Sequence, residues 1–214
     1  MPTAQLNGII YTTVSDTECV VGTDNKVVDS NAVVGDFNPF LRFPETVDIS
    51  GKKYLVTAVG NTAFRNNKLV KTIRIHRYIK KLKYRCFDWC TSCYKITFDK
   101  ESNLESLEES SLNGLIVTSI NIPKTVKIFE IYCFAVLNNL KTLIYFGTTN
   151  PSSSINILSN TAGPNIIYVG LDYPYTVFHD IPVTKVPYIN EKLCSNCRCK
   201  KLNGFKFIMI FIIS

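Results

Sequence analysis

The sequence predicts a solenoid, mostly β with little α, in which strand-bearing coils stack and a short helical or 3₁₀ turn lies opposite the strands. A 23-residue period is the first observation behind this. Counted from Ile75, apolar residues or cysteine stand at Ile79, Leu82, Cys86, Phe87, Cys90, Cys93, Ile96 and Phe98. Counted from Ile122, the same steps meet Val126, Phe129, Cys133, Phe134, Leu137, Leu140, Leu143 and Tyr145. The second observation is that the rhythm extends to the adjoining coils. One beginning at Lys52 carries Val56, Val59, Ala63, Phe64, Val70 and Ile73, with polar Asn67 at one position. Another, from Phe98 to Ile122, carries Leu104, Leu107, Ser111, Leu112, Val117 and Ile120, with two extra residues early and one missing late. The third is local alternation of the Ile73-Arg74-Ile75 kind, which points two side chains inward from a strand and one outward. Units of this size bury their apolar faces only against their neighbours, so repetition itself builds the core.

Four segments follow in order. Residues 1–51 lack the repeat; Ile9-Ile10-Tyr11, Cys19-Val20-Val21 and Val27-Val28 are β-branched runs separated by turn residues, read as hairpins that cover the first coil. Thr46-Val47-Asp48-Ile49 and Tyr54-Leu55-Val56 flank Ser50-Gly51-Lys52-Lys53, a hairpin signal leading into the array. Residues 52–146 hold about four coils, each with one strand and, at its Ala63-Phe64 position, a turn suited to 3₁₀ or α-helix. Residues 147–190 form a closing segment that contains a strand at Asn165-Ile166-Ile167-Tyr168-Val169. Residues 191–214 are a cysteine- and lysine-rich stretch followed by an apolar tail.

Thr57-Ala58-Val59-Gly60-Asn61-Thr62-Ala63-Phe64 and Thr118-Ser119-Ile120-Asn121-Ile122-Pro123 resemble the BspA-type leucine-rich repeat, over roughly residues 43 to 186. Leu140 to Gly147 and Ile181-Pro182-Val183-Thr184-Lys185 resemble the way such arrays end in protist surface antigens. The cadence departs at His76, where proline is usual, at Ser111-Leu112, which replaces Ala-Phe, and at Lys83, which replaces glycine. The resemblance implies a leucine-rich repeat fold and a non-enzymatic cell-surface protein that binds other proteins or matrix.

Composition is that of a folded chain, 46% hydrophobic and 19% charged. Much of the net charge of +7 lies between Lys68 and Arg85, where Lys71, Arg74, Arg77, Lys80, Lys81 and Lys83 meet no acidic residue. A strip of this kind can contact nucleic acid or an anionic membrane. The next coil carries Asp99, Glu101, Glu105, Glu108 and Glu109, so stacking is expected to neutralise the strip instead. No secretory leader is visible at the start. The run Phe205 to Ile213, interrupted by Lys206, is about half of the ~20 residues that span a bilayer. It is compatible with a loosely docked tail, an interfacial anchor or a shortened span, and the residues alone leave a cytoplasmic location open.

Chemistry is sparsely provided. Cys86, Cys90, Cys93 and Cys133 occupy apolar repeat positions and are expected as buried, reduced thiols. Cys194, Cys197 and Cys199 have Cys-x-x-Cys spacing but lack a fourth nearby ligand, so loose thiols, a metal, lipidation or redox use stay open. His76 and His179 stand in no catalytic motif, no phosphate-cradling loop is found, and neither an enzyme nor a cofactor is expected. The expected partner surface is the outward row of the sheet: Thr72 and Arg74, Lys95 and Thr97, Ser119 and Asn121, then Thr142 and Ile144 as an exposed aliphatic end. A protein or an anionic glycan is the partner expected there.

Overall fold

A computed structural model describes residues 1–25, 31–151, 156–161 and 163–187. It contains sixteen strands and no helix among those residues. β1 (Thr3–Leu6), β2 (Ile9–Thr13) and β3 (Glu18–Val21) form an antiparallel meander; Val27-Val28 lies outside the described residues. After β4 (Phe40–Arg42), β5 (Thr46–Ile49) and β6 (Lys52–Val59) make the predicted hairpin, with a turn shorter than the expected 50–53: Lys52 and Lys53 already pair with Ile49 and Asp48, leaving Ser50-Gly51 between the strands. Ser50 and Gly51 both take positive φ, 53° and 81°, as a type I′ turn requires to match the strand twist.

From β6 onward the chain winds so that successive coils pair in parallel. One ladder runs β3, β6, β8 (Lys81–Leu82), β10 (Ser106–Leu107) and β12 (Ile128–Phe129). A second begins with β4, β7 (Thr72–Ile75) and β9 (Lys95–Phe98). It resumes as β11 (Ser119–Ile122), β13 (Thr142–Tyr145), β14 (Ile166–Gly170) and β16 (Ile181–Val186). β15 (Val177–Phe178) folds antiparallel onto β16. Ile73 lies beside Ile96 and Ile120 beside Leu143, so the 23-residue sequence period is the stacking period. Between β9 and β11 the second ladder is interrupted, in the coil with the extra residues; even there, the Ile116 amide donates to the Cys93 carbonyl at 3.0 Å.

The side carrying the Ala-Phe positions differs from expectation: it forms turns, not helix. Amides of Thr62, Phe64 and Asn66 donate to the carbonyls of Tyr84, Cys86 and Asp88 on the next coil, while Ala63, Arg65 and Asn67 bond back within their own. Arg85, Phe87 and Trp89 repeat this onto Glu109, Ser111 and Asn113. A helix would direct every amide along its own axis; alternation frees every second one for the neighbouring coil. It also requires left-handed residues, and Thr62, Asn66, Arg85, Trp89, Tyr132 and Val136 all have φ between 51° and 60°.

Inside, the repeat positions form continuous columns. Phe64 and Phe87 are fully buried and stack with centroids 5.4 Å apart and planes 15° from parallel. Ser111 lies in the column of Ala63, Cys86 and Cys133, is fully buried, and its hydroxyl meets no hydrogen-bond partner. A buried hydroxyl without a partner costs about 1–3 kcal/mol. Ser111→Ala, which restores the residue of the first coil, is therefore expected to raise stability by about 1 kcal/mol in denaturant unfolding. A loss of stability would show that the hydroxyl has a partner.

Candidate protein-binding face

The second ladder brings the predicted partner residues into rows. Thr72 lies directly beside Lys95, and Arg74 beside Thr97. Across the interruption, Ser119 lies beside Thr142 and Asn121 beside Ile144. Arg74, Ser119 and Asn121 are exposed, whereas Thr72, Lys95, Thr97 and Thr142 are half-buried. Ile144 corrects the expectation: it is only 6% exposed, so the row does not end in an accessible aliphatic. Strand alternation directs its side chain outward, but its neighbour on β14 is the bulky Tyr168, itself 7% exposed. Pleat parity fixes the face a residue occupies and leaves open what covers it.

Charge at this face is largely internal. Arg74 Nε donates to Asp99 Oδ1 at 2.9 Å, and Thr97 Oγ1 to the Ile73 carbonyl at 3.4 Å. Along the basic strip Arg85 pairs with Glu109 at 3.7 Å, as the stacking argument anticipates. The N-terminal side adds acids that the sequence argument missed: Glu18 holds Lys80 at 2.8 Å, Asp24 holds Lys83 at 2.6 Å, and Glu45 stands 3.8 Å from Arg77. Arg77 and Arg85 also lie over the rings of Tyr78 and Tyr84, 4.8 and 4.9 Å from the centroids. Asp88 is buried, accepts from Asn113 at 2.6 Å and from Arg65 at 3.2 Å, and is pushed above the usual carboxylate range by that burial.

The five described cysteines are buried free thiols. Cys90 Sγ donates to the Phe64 carbonyl at 3.0 Å. Burial pushes Cys19 up to about 11 and Cys93 up to about 12, and raises Cys86, Cys90 and Cys133 as well; the thiolate, the reactive form, is suppressed at neutral pH. His76, in the place of proline, is buried, accepts the Tyr78 amide on Nδ1 at 3.3 Å, and is shifted down by burial toward the neutral form. The His179 amide donates to Asn150 Oδ1 at 3.0 Å. Among the described residues no group of three or more His, Cys, Asp or Glu converges as a metal site, and no helix is long and apolar enough to cross a membrane. Cys194, Cys197, Cys199 and the run 205–213 lie outside the described residues.

Sequence reasoning overlooked an exposed apolar ridge where the turn side meets the second ladder. Leu69, Trp89, Tyr94 and Ile116 are between 38% and 64% exposed there. The available signal was Trp89 itself, an aromatic at a turn position taken by Asn66, Gly114 and Val136 in other coils.

Parallel coils with inward columns of leucine-like residues define a leucine-rich repeat protein. The BspA type Leucine rich repeat region matches residues 54–165 in six copies, and the chain belongs to that family. Among solved structures it is similar to a leucine-rich repeat protein from Bacteroides capillosus, with 20% identity, 69% of this chain and 100% of that chain covered, and a TM-score of 0.54. It is also similar to the pneumococcal vaccine antigen PcpA, with 19% identity, 78% of this chain and 49% of that chain covered, and a TM-score of 0.54. At these identities the structural likeness shows the fold. No curated protein matches.

Proposed function

We propose that the chain is a non-enzymatic, surface-displayed module that binds a protein through Thr72, Arg74, Lys95 and Thr97, extended by Ser119, Asn121 and Thr142. The observation that carries this is the ladder register, which sets Thr72 beside Lys95 and Arg74 beside Thr97 at matching heights. Membership of a repeat family supports a role in protein interaction, and a vaccine antigen among the structural neighbours supports display at a surface. Residues 1–51 serve as the opening cap, a role supported by the β3–β6 pairing, and 147–190 as the closing segment, supported by β15 folding onto β16. Adhesion to a host cell or matrix is the setting that fits such a face.

Arg74→Ala together with Lys95→Ala is expected to weaken capture of the partner by about tenfold or more, roughly 1.4 kcal/mol, with a shift in Tm of only a few degrees. Unchanged affinity would remove this face from the reading. The electrostatic alternative, a nucleic acid or anionic membrane held by residues 68–85 and the tail, predicts affinity that collapses with salt. The ion pairs to Glu18, Asp24, Glu45 and Glu109 weigh against it. Labelling intact source cells with a membrane-impermeant reagent tests display; recovery of the chain only in the unlabelled interior would remove the surface role.

A further inference from the structure

The corner between the turn side and the second ladder is built from residues 66–71, 89–94, 113–118 and 136–141, and these four stretches contain no aspartate or glutamate and three lysines, Lys68, Lys71 and Lys141, of which only Lys141 lines a cleft. Trp89 stands out from it at 41% exposure and Ile116 at 38%. The Cδ2 and Cε3 atoms of the indole lie 3.3 Å from the point that a Cβ on Gly114 would occupy. Glycine in the next coil therefore gives the ring its seat, and its φ of 73° independently disfavours a larger residue. Beside the ring, a cleft of about 200 Å³ bounded by Trp89, Ile116 and Val136 continues past Asn138 and Asn139. A second cleft of about 290 Å³ shares those two asparagines and reaches Lys141 and Asn165. Asn138, Asn139 and Asn165 are all exposed.

We infer that this groove is a binding site for a neutral oligosaccharide, separate from the sheet face and independent of its role. A sugar ring has a C–H face and a rim of hydroxyls. The indole supplies a flat apolar surface for the face, and each asparagine amide presents a donor and an acceptor together, matching the paired character of adjacent hydroxyls. Charge selects against other occupants. The first cleft has no charged lining residue and the second only Lys141, so an acidic peptide or polyanion lacks the paired cations that hold such ligands. A cationic ligand finds no carboxylate.

Trp89 is the single tryptophan of the chain, so intrinsic fluorescence reads the site directly. The full chain is titrated with gluco-, galacto-, manno- and N-acetylglucosamine-type neutral oligosaccharides, with a heparin oligosaccharide as the anionic comparison. At least one neutral series is expected to give a saturable change in tryptophan emission that is the same at low and high salt. Asn139→Ala, at an exposed position, is expected to weaken it by about tenfold. Trp89→Ala, read by calorimetry, is expected to abolish it, and Trp89→Phe to retain part. The inference is overturned if no neutral series responds, if only heparin responds and the response disappears with salt, or if both Asn139→Ala and Trp89→Ala bind as the parent does.

Discussion

Raising the pH from 9 to 11 is expected to unfold the protein cooperatively. Cys19, Cys86, Cys90, Cys93 and Cys133 are buried thiols whose ordinary value is 9.0; burial pushes Cys19 to about 11, Cys93 to about 12, and the other three upward. Above pH 9 an unfolded chain gives up these protons while the folded chain keeps them. The unfolded state then binds fewer protons, so stability falls as pH rises, by about 1.4 kcal/mol per pH unit for each thiol in its window. Several thiols acting together match a typical total stability of about 5–15 kcal/mol within two units. Below pH 9 the thiols contribute no pH dependence. Denaturant unfolding at stepped pH checks this: between pH 9 and 10, before the buried phenols of Tyr11, Tyr145 and Tyr173 add to the slope, Cys133→Ala should lower it by about a fifth whatever it does to absolute stability. Stability that is flat from pH 9 to 11, or a slope indifferent to Cys133, would contradict the thiol account.

Phe87→Ala is expected to remove about 4 kcal/mol, near the centre of the usual range for emptying a buried phenylalanine site. Phe87 is fully buried and stacks on Phe64, which in turn packs against Phe43 at 5.8 Å and Phe37 at 6.4 Å. Truncation therefore opens a gap between two coils and loosens the contact that ties the N-terminal segment to the array. At about 2–4 °C per kcal/mol for a chain of this size, Tm should drop by about 10 °C. Phe87→Leu should cost far less, because Leu112 fills the same column one coil on. A loss below about 1 kcal/mol for alanine would show that the rings do not pack as described.

The columns were legible in sequence because inward positions favour apolar residues: the counts that run from Ile75 to Phe98 and from Ile122 to Tyr145 begin and end on the ladder pairs Ile75↔Phe98 and Ile122↔Tyr145. The hairpin at Ser50-Gly51 and the strand near Ile166 were legible for their turn chemistry and β-branched runs. Two features were hidden. β8, β10 and β12 are two residues long, too short for alternation to register, so the first ladder was read only as spacing. The Ala-Phe side was read as a helical turn because left-handed Thr62, Arg85, Tyr132 and Val136 carry no glycine to announce them. For the partner row, alternation placed all eight residues on the correct strands but said nothing of Tyr168 beside Ile144. Trp89 was overlooked, because it stands one place away from the repeat positions that carry the apolar rhythm, and spacing says nothing of a turn residue that faces outward.

Coils that share one inward apolar pattern pose a problem of assembly order, since any coil can in principle dock on any other. Apolar columns do not discriminate, because leucine meets leucine equally well in the wrong sequence. The ion pairs do. Lys80 and Lys83 reach past the intervening β6 to Glu18 and Asp24 of the N-terminal segment, while Arg74 and Arg85 of successive coils find Asp99 and Glu109 on the other side. A misordered stack would set this strip against another row of lysines or strand its charges without partners. Pairs that contribute little to the strength of the native state thus serve to reject its competitors, and they give the N-terminal segment, which lacks the repeat, a place at the head of the queue.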